Sequence, residues 1–335
     1  MPANAEQPDA ILAAAARLRD GGLVAFPTET VYGLGADALN PDAVSRVFSL
    51  KGRPAQNPLI VHVADSAMAR PLAARWPDAA RRLADAFWPG PLTIVLRRAP
   101  VVPAIVAGGG ETVALRCPDH PLALALLRAC AGPLVGPSAN PSGRVSPTTA
   151  AHVRAAFTSE QVLVLDGGPC RIGIESTVVS LAGDFPRVLR LGAVSAVHIG
   201  DVLGVQPLVG ADEGGAPGGA LSSPGMLPSH YAPSTPLTLF DAKAPPRELE
   251  RSPRPIVVIT HREAFALPRE CRGPRTLVRM PADAERYGAR LYAALREADE
   301  AGSEMILLET PADAGPLWDA IRDRLSRAAA RAESD

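Results

Sequence analysis

Lysine is almost missing from this chain. Its 34 basic residues include only Lys51 and Lys243, the rest being arginines. An ordinary solvated cation in such a background would be expected to read Arg, so a lysine asks for a local reason. Aromatics are scarce at 4%. The core must therefore come from Ala, Val and Leu, and little surface is left for stacking on RNA bases. A net charge of −1 offers no global attraction to nucleic acid or membrane, so any polyanion site is a local patch. The four cysteines, Cys117, Cys130, Cys170 and Cys271, stand far apart without CxxC or Cys/His spacing, which excludes a disulfide framework and a zinc site. No run approaches the roughly 18–20 apolar residues of a membrane span. The N-terminal MPANAEQPDAIL lacks the basic and apolar regions of a secretory signal. The expected compartment is a reducing cytoplasm.

Several active-site signatures are also missing. Neither lysine follows a GxxxxG, and Gly108-Gly109-Gly110 is not a GxGxxG, so Walker A and dinucleotide fingerprints are excluded. The loop Gly136-Pro137-Ser138-Ala139-Asn140 reads GxSxN, where a nucleophile elbow needs GxSxG. No Ser/His/Asp order, glycosidase-type carboxylate pair or metal-binding carboxylate stands out. Chemistry by positioning and charge stabilisation is expected instead of a covalent enzyme intermediate.

What is present reads as two α/β domains. A length of 335 residues with 47% apolar content suits two cores. Helices are expected at 8–19, from 40 to 49, at 76–87 and at 122–130. Strands are expected at 23–26, 59–63, 92–97, 113–116, 134–135, 162–165, 178–181 and 188–191. This alternation argues an α/β domain over 1–204 with a largely parallel or mixed sheet. Residues 205–233 turn to Gly, Pro, Ser and Ala without period, a linker, although its end, Pro228-Ser229-His230-Tyr231-Ala232-Pro233, is less bland than a spacer. Residues 234–335 read as a smaller α/β domain, with strands at 237–240, 256–259, 277–279 and 305–309 and helices at 284–298 and 317–330. It shows no polar constellation and is read as supporting.

The polar residues of the first domain gather at strand ends, where open α/β sheets meet ligands: Thr28/Glu29/Thr30, Lys51/Arg53/Asn57, Arg116, Ser138/Asn140/Ser146, Ser176 and Arg190. Arginine forks and a compact ammonium suit carboxylate or phosphate oxygens, and hydroxyls and amides suit a small polar substrate. Taken singly, Lys51 also fits a helix C-terminal charge facing the dipole, and His62 in an apolar strand also fits a satisfied structural histidine.

In this order PTETVYGLG, KGRPAQNPLIVHV, PGPLTIVL, VALRCPDHPLALALL, GPSANPSG and GIESTVVSL resemble the YrdC-like domain of L-threonylcarbamoyladenylate synthases. The linker and second domain resemble the long form of that family. The resemblance implies an open twisted α/β sheet followed by a smaller Rossmann-like α/β domain, with a nucleotidyltransferase reaction. L-threonine, bicarbonate or CO2 and ATP would give threonylcarbamoyl-AMP and pyrophosphate, with Mg²⁺ carried on the phosphates. A downstream transferase would pass the threonylcarbamoyl group to tRNA adenosine 37, and weak binding of tRNA itself is allowed. Lys51 and Arg53, matching the family's Lys-x-Arg signature, would be catalytic by neutralising phosphate charge, with Arg190. Ser138 and Asn140, matching Ser-x-Asn, would hold the nucleotide with Asn57, Thr112 and Ser146. Tyr231 of the linker would fold over it. Threonine would lie against Thr30, His62, Arg116 and Ser176, with Arg116 as partner of its carboxylate.

Two other classes compete. A non-catalytic RNA-binding module of this fold is opposed by near-zero net charge and few aromatics. A carbamoyl-transfer domain of a larger maturation enzyme would be accompanied by zinc-finger-like and kinase-like domains, which this chain does not show.

Overall fold

The computed structural model describes residues 7–210, 231–241, 243–268 and 270–330. In chain order the first domain runs α1 (Gln7–Arg19), β1 (Leu23–Phe26), β2 (Gly33–Asp37), α2 (Pro41–Lys51), β3 (Ile60–His62), α3 (Ser66–Ala69), α4 (Asp78–Phe87), β4 (Leu92–Arg97), β5 (Thr112–Arg116), α5 (Pro121–Cys130), β6 (Leu134–Val135), α6 (Ala150–Arg154), β7 (Val162–Val164), β8 (Thr177–Ser180), β9 (Arg187–Arg190), α7 (Ala196–Leu203) and β10 (Leu208–Val209). Among the described residues its strands form one ten-stranded open sheet, ordered β10-β9-β8-β4-β5-β3-β6-β2-β1-β7. The sheet is mixed: β3 lies parallel to β5, while β6 and β4 run antiparallel to these two.

Register assigns the two faces of the sheet centre. His62 pairs with Arg116 and Ile60 with Ala114, Thr93 with Val178, and Val178 with Arg190. Because side chains alternate with a period of two, these residues share one face. Their neighbours Val61, Leu115, Ile94 and Val179 turn to the other face and enter the main core with Val44 and Val47 of α2, Leu83 of α4 and Ile199 of α7. The first face carries only a small apolar cluster, including Ile60, Val95, Ala114 and Val178, with polar residues at its margin. That face holds the site.

Some elements depart from expectation. The stretch Gly33–Asp37 forms β2 although its glycines give no strand pattern. A Cβ on Gly33 would stand 2.9 Å from the Phe26 ring, and one on Gly35 would stand 3.0 Å from the Val24 carbonyl. Glycine there permits close approach to β1. The helix expected from Trp76 begins at Asp78, with Pro77 as its N-cap, since a residue before proline is pushed out of the helical region. Helices α6 and α7 were not expected. Within the linker span, Leu208–Val209 adds to the sheet edge along β9. Linker residues 211–230 lie outside the described residues.

The second domain runs β11 (Leu237–Phe240), α8 (Glu248–Arg251), β12 (Ile256–Thr260), β13 (Arg275–Arg279), α9 (Ala284–Glu300), β14 (Met305–Glu309) and α10 (Pro316–Ala329). Its all-parallel sheet is ordered β11-β14-β12-β13. One hydrophobic cluster joins Leu291, Tyr292, Ile321 and Leu325 of α9 and α10 to Val31, Val145, Ile174 and Tyr231 from the loops over the first sheet. The two domains thus share buried apolar surface. Among the described residues no helix is long and apolar enough to cross a membrane.

Candidate functional site between sheet, linker and second domain

The turn after β1 is held by one side chain. Thr28 Oγ1 accepts from the Thr30 and Val31 amides at 3.1 and 3.2 Å and donates to the Val31 carbonyl at 2.6 Å. This self-capped turn buries Glu29 and Thr30 and leaves their side chains at the sheet face. Glu29 Oε1 lies 2.8 Å from Arg116 Nη2, and its Oε2 accepts the Asp119 amide at 3.1 Å. His62 packs edge-on against Phe26, ring centroids 5.4 Å apart, and its Nδ1 is buried without a partner. Burial, and then the charge of Arg116, push the imidazole well below its ordinary pKa. It is neutral at pH 7.

Helix α2 delivers the Lys-x-Arg loop. Asn40 caps its start, and Gly52 at φ 60 ends it in the left-handed region, a position that favours glycine. Lys51, on the last helical turn, is buried. Its Nζ donates to the Ser138 carbonyl at 2.5 Å and to the Asn140 carbonyl, and its own carbonyl accepts the Ser142 amide at 2.8 Å. The lysine therefore clamps the Lys-x-Arg loop to the Ser-x-Asn loop. Burial, followed by the nearby Arg53, lowers the Lys51 pKa well below an ordinary amine. Arg53 donates to Asn57 Oδ1 at 2.6 Å and to the Asn57 and Pro58 carbonyls at 3.0 and 2.8 Å. Burial pulls its pKa down to about 10.

Across the face, Ser176 Oγ lies 2.8 Å from Thr93 Oγ1 and accepts from Arg190 Nη2 at 3.1 Å. Ser146 Oγ donates to Glu175 Oε1 at 2.7 Å. Glu175 Oε2 accepts from the Tyr292 hydroxyl and from Arg324 Nε, both at 2.8 Å. Burial alone would raise the Glu175 pKa. Arg324, Arg190 and the Ser146 hydrogen bond outweigh it and hold the carboxyl below its ordinary range. Tyr231, at φ 64, is buried and stacks on Tyr292 with centroids 5.7 Å apart.

These elements line a small cavity of about 40 Å³. Of the thirteen residues expected at the site, Thr30, Arg53, His62, Arg116, Ser138, Arg190 and Tyr231 line it. Lys51, Asn57, Asn140, Ser146 and Ser176 are buried beside it, bonded to its walls or loops. Asn140 Nδ2 donates to the Pro141 and Arg144 carbonyls, both 2.8 Å. Thr112 stands apart. It shares the face of Ala114 and Arg116 by register but lies at the opposite end of β5 from Arg116, outside the cavity lining. Sequence reasoning named Glu29 among the strand-end polar residues without giving it a role, and missed Glu175, Tyr292 and Arg324 as contributors. The second domain, read from sequence as supporting and without a polar constellation, supplies Tyr292 and Arg324, which reach Glu175. The available signal was an arginine inside the apolar stripe Ala320, Ile321, Leu325 and Ala328 of α10.

The comparisons agree with this architecture. The family described as "Telomere recombination" matches residues 16–192, and the one described as "Threonylcarbamoyl-AMP synthase, C-terminal domain" matches residues 194–330. The threonylcarbamoyl-AMP synthase of Bacillus subtilis is 42% identical over 95% of this chain and 92% of that protein. The one of Pyrococcus abyssi is 40% identical over 94% and 92%. The crystal structure of P. abyssi Sua5 complexed with L-threonine superposes with a TM-score of 0.83 at 38% identity, covering 95% of this chain and 94% of that one. On these matches, and on a fold and motif order that agree with them, the chain belongs to the threonylcarbamoyl-AMP synthase family in its two-domain form.

Proposed function

We propose that the chain is an L-threonylcarbamoyladenylate synthase, making threonylcarbamoyl-AMP and pyrophosphate from L-threonine, bicarbonate or CO2 and ATP. The observation that carries this reading is the single cavity uniting Arg53 and Arg190 with Thr30, His62 and Arg116. Cations suited to phosphate thus stand beside groups suited to an amino acid. That P. abyssi Sua5 has been crystallised with L-threonine supports the amino-acid half.

In this reading the threonine carboxylate meets Arg116, whose guanidinium is oriented by Glu29. Neutral His62 presents an unpaired ring nitrogen to accept a hydrogen bond from the substrate. The threonine amine adds to CO2, losing a proton and forming the N–C bond of a carbamate. A carbamate oxygen then attacks the α-phosphorus of ATP, and the bond from that phosphorus to the β-phosphate bridging oxygen breaks. The electron pair leaves with pyrophosphate. Lys51, Arg53 and Arg190 offset the charge spread over the phosphate oxygens. Ser138, Asn140, Asn57 and Ser146 hold the nucleotide, with Tyr231 over it.

The Mg²⁺ that accompanies ATP is assigned to phosphate oxygens and water, as Mg²⁺ commonly is. Among the described residues no group of three or more His, Cys, Asp or Glu side chains stands ready for a metal, and Glu29 and Glu175 are committed to arginines. Bound there, the ion would neutralise charge on the leaving pyrophosphate. The product is an activated mixed anhydride, suited to a transferase that passes the threonylcarbamoyl group to tRNA adenosine 37. We place the protein in the cytoplasm, where its four free cysteines would stay reduced.

The test is pyrophosphate release from ATP with bicarbonate, in the presence of L-threonine, L-serine or no amino acid. Threonine-dependent release is expected. No release from the folded protein with any of them would overturn the reading.

A further inference from the structure

Arg324 is the largest fully buried side chain among the described residues. It lies on the apolar face of α10, between Ile321 and Leu325, which are both fully buried. A buried charge is costly unless paired, and an apolar residue of similar volume often serves stability as well or better. Packing therefore does not account for an arginine at this place.

Its fork reaches two separate loops of the first domain. Nε donates to Glu175 Oε2 at 2.8 Å, and Nη2 donates to the Leu191 carbonyl at 2.8 Å. Each partner is the chain neighbour of a site residue, Glu175 of Ser176 and Leu191 of Arg190. Those two are themselves bonded through Arg190 Nε to the Ser176 carbonyl at 3.0 Å and through Nη2 to Ser176 Oγ. The guanidinium carbon also stands 5.5 Å from the centre of the Tyr231 ring, within cation–π range, and Asp323 takes its Nη1 at 2.5 Å.

We propose that Arg324 is a positioning residue of the site, whose planar fork bridges Glu175 and Leu191 and so fixes Ser176 relative to Arg190 while holding the Tyr231 ring. This proposal rests on the synthase reading. It gives the second domain a part in binding, beyond carrying the linker. Lysine cannot replace the fork, because an ammonium lacks two parallel donors in a fixed plane. Without Arg324, Glu175 loses its ion pair and the charge of Arg190 is the other one that still acts on it.

The experiment compares full-length wild type, Arg324→Lys, Arg324→Ala and Leu307→Ala, the last destabilising the second domain's other apolar cluster, which does not include the residues packed on the first domain. Folding is followed by circular dichroism, L-threonine binding by calorimetry, and kcat and KM by pyrophosphate release. Folded Arg324→Lys is expected to lose at least tenfold in kcat/KM and in threonine affinity, and Arg324→Ala more. Leu307→Ala is expected to stay within twofold of wild type at a comparable fall in Tm. Should Arg324→Ala fail to fold, Arg324→Lys, which keeps a cation and most of the volume, decides the matter. Arg324→Lys within twofold of wild type, or an equal loss in Leu307→Ala at matched Tm, would overturn the proposal. Wild type without threonine-dependent release would instead overturn the synthase reading.

Discussion

Glu29 and Arg116 form an ion pair of 2.8 Å inside the site, with side chains 1% and 4% exposed. The pair aims Arg116 at the cavity before any substrate arrives. Removing one partner leaves the other charge buried and unpaired, which costs about 3–5 kcal/mol. Glu29→Ala is therefore expected to lower unfolding stability by that amount, measured by urea denaturation, and to raise the KM for threonine more than that for ATP. A variant as stable as wild type would show that the pair is solvated in solution.

Lys51 joins the Lys-x-Arg and Ser-x-Asn loops through the carbonyls of Ser138 and Asn140. Lys51→Met keeps the aliphatic stem and deletes the donors. Each carbonyl left unsatisfied costs about 1–3 kcal/mol, and, if Lys51 acts on the phosphates as proposed, kcat is expected to fall by about 10²–10³-fold. Steady-state pyrophosphate release checks the rate, and chemical denaturation checks the stability. A variant with unchanged kcat would restrict Lys51 to bracing the loops.

Much of the site was legible because its residues sit in contiguous motifs at strand ends. Lys51 stood out as one of two lysines, and the contrast between polar loop and apolar strand marked Thr30, His62 and Arg116. What stayed hidden depends on contacts distant in sequence. Arg324 meets Glu175 across 149 positions, and no local period encodes that meeting. Strand β2 was hidden for another reason: its Gly33 and Gly35 are set by the Phe26 ring and the Val24 carbonyl, so its sequence carries a partner's shape and no β-propensity.

His62 contributes to the pH dependence of stability on this face, beside the depressed carboxyl of Glu175. Its folded pKa lies well below the ordinary value of 6.5, chiefly through burial and then through Arg116. Between the lowered folded value and 6.5 the unfolded chain binds a proton that the folded protein does not. The histidine's contribution is therefore fully present above that ordinary value and is lost as pH falls beneath it. Urea midpoints of wild type and His62→Gln are expected to differ by a constant amount at neutral and higher pH and to shift against wild type in acid. A difference constant through the acid range would show that His62 titrates normally.

Gly173, at φ 77, lets the loop bearing Glu175 touch α9: a Cβ there would lie 2.4 Å from Ala289 Cα and from the Gly288 carbonyl. Both backbone strain and overpacking oppose a side chain, at about 2–4 kcal/mol together. Gly173→Ala is expected to destabilise the domain contact by that amount and to lower kcat/KM, as read by denaturation and by pyrophosphate release. Wild-type stability would show that the two surfaces separate easily in solution.

On the proposed function, one cavity joins the amino acid, the one-carbon unit and the nucleotide. ¹³C-bicarbonate, L-threonine and ATP incubated with the protein, with products resolved by mass spectrometry, test it most directly. The predicted result is threonylcarbamoyl-AMP carrying the label in its carbamoyl carbon, formed together with pyrophosphate. ATP converted to ADP and phosphate with no labelled adenylate would contradict it.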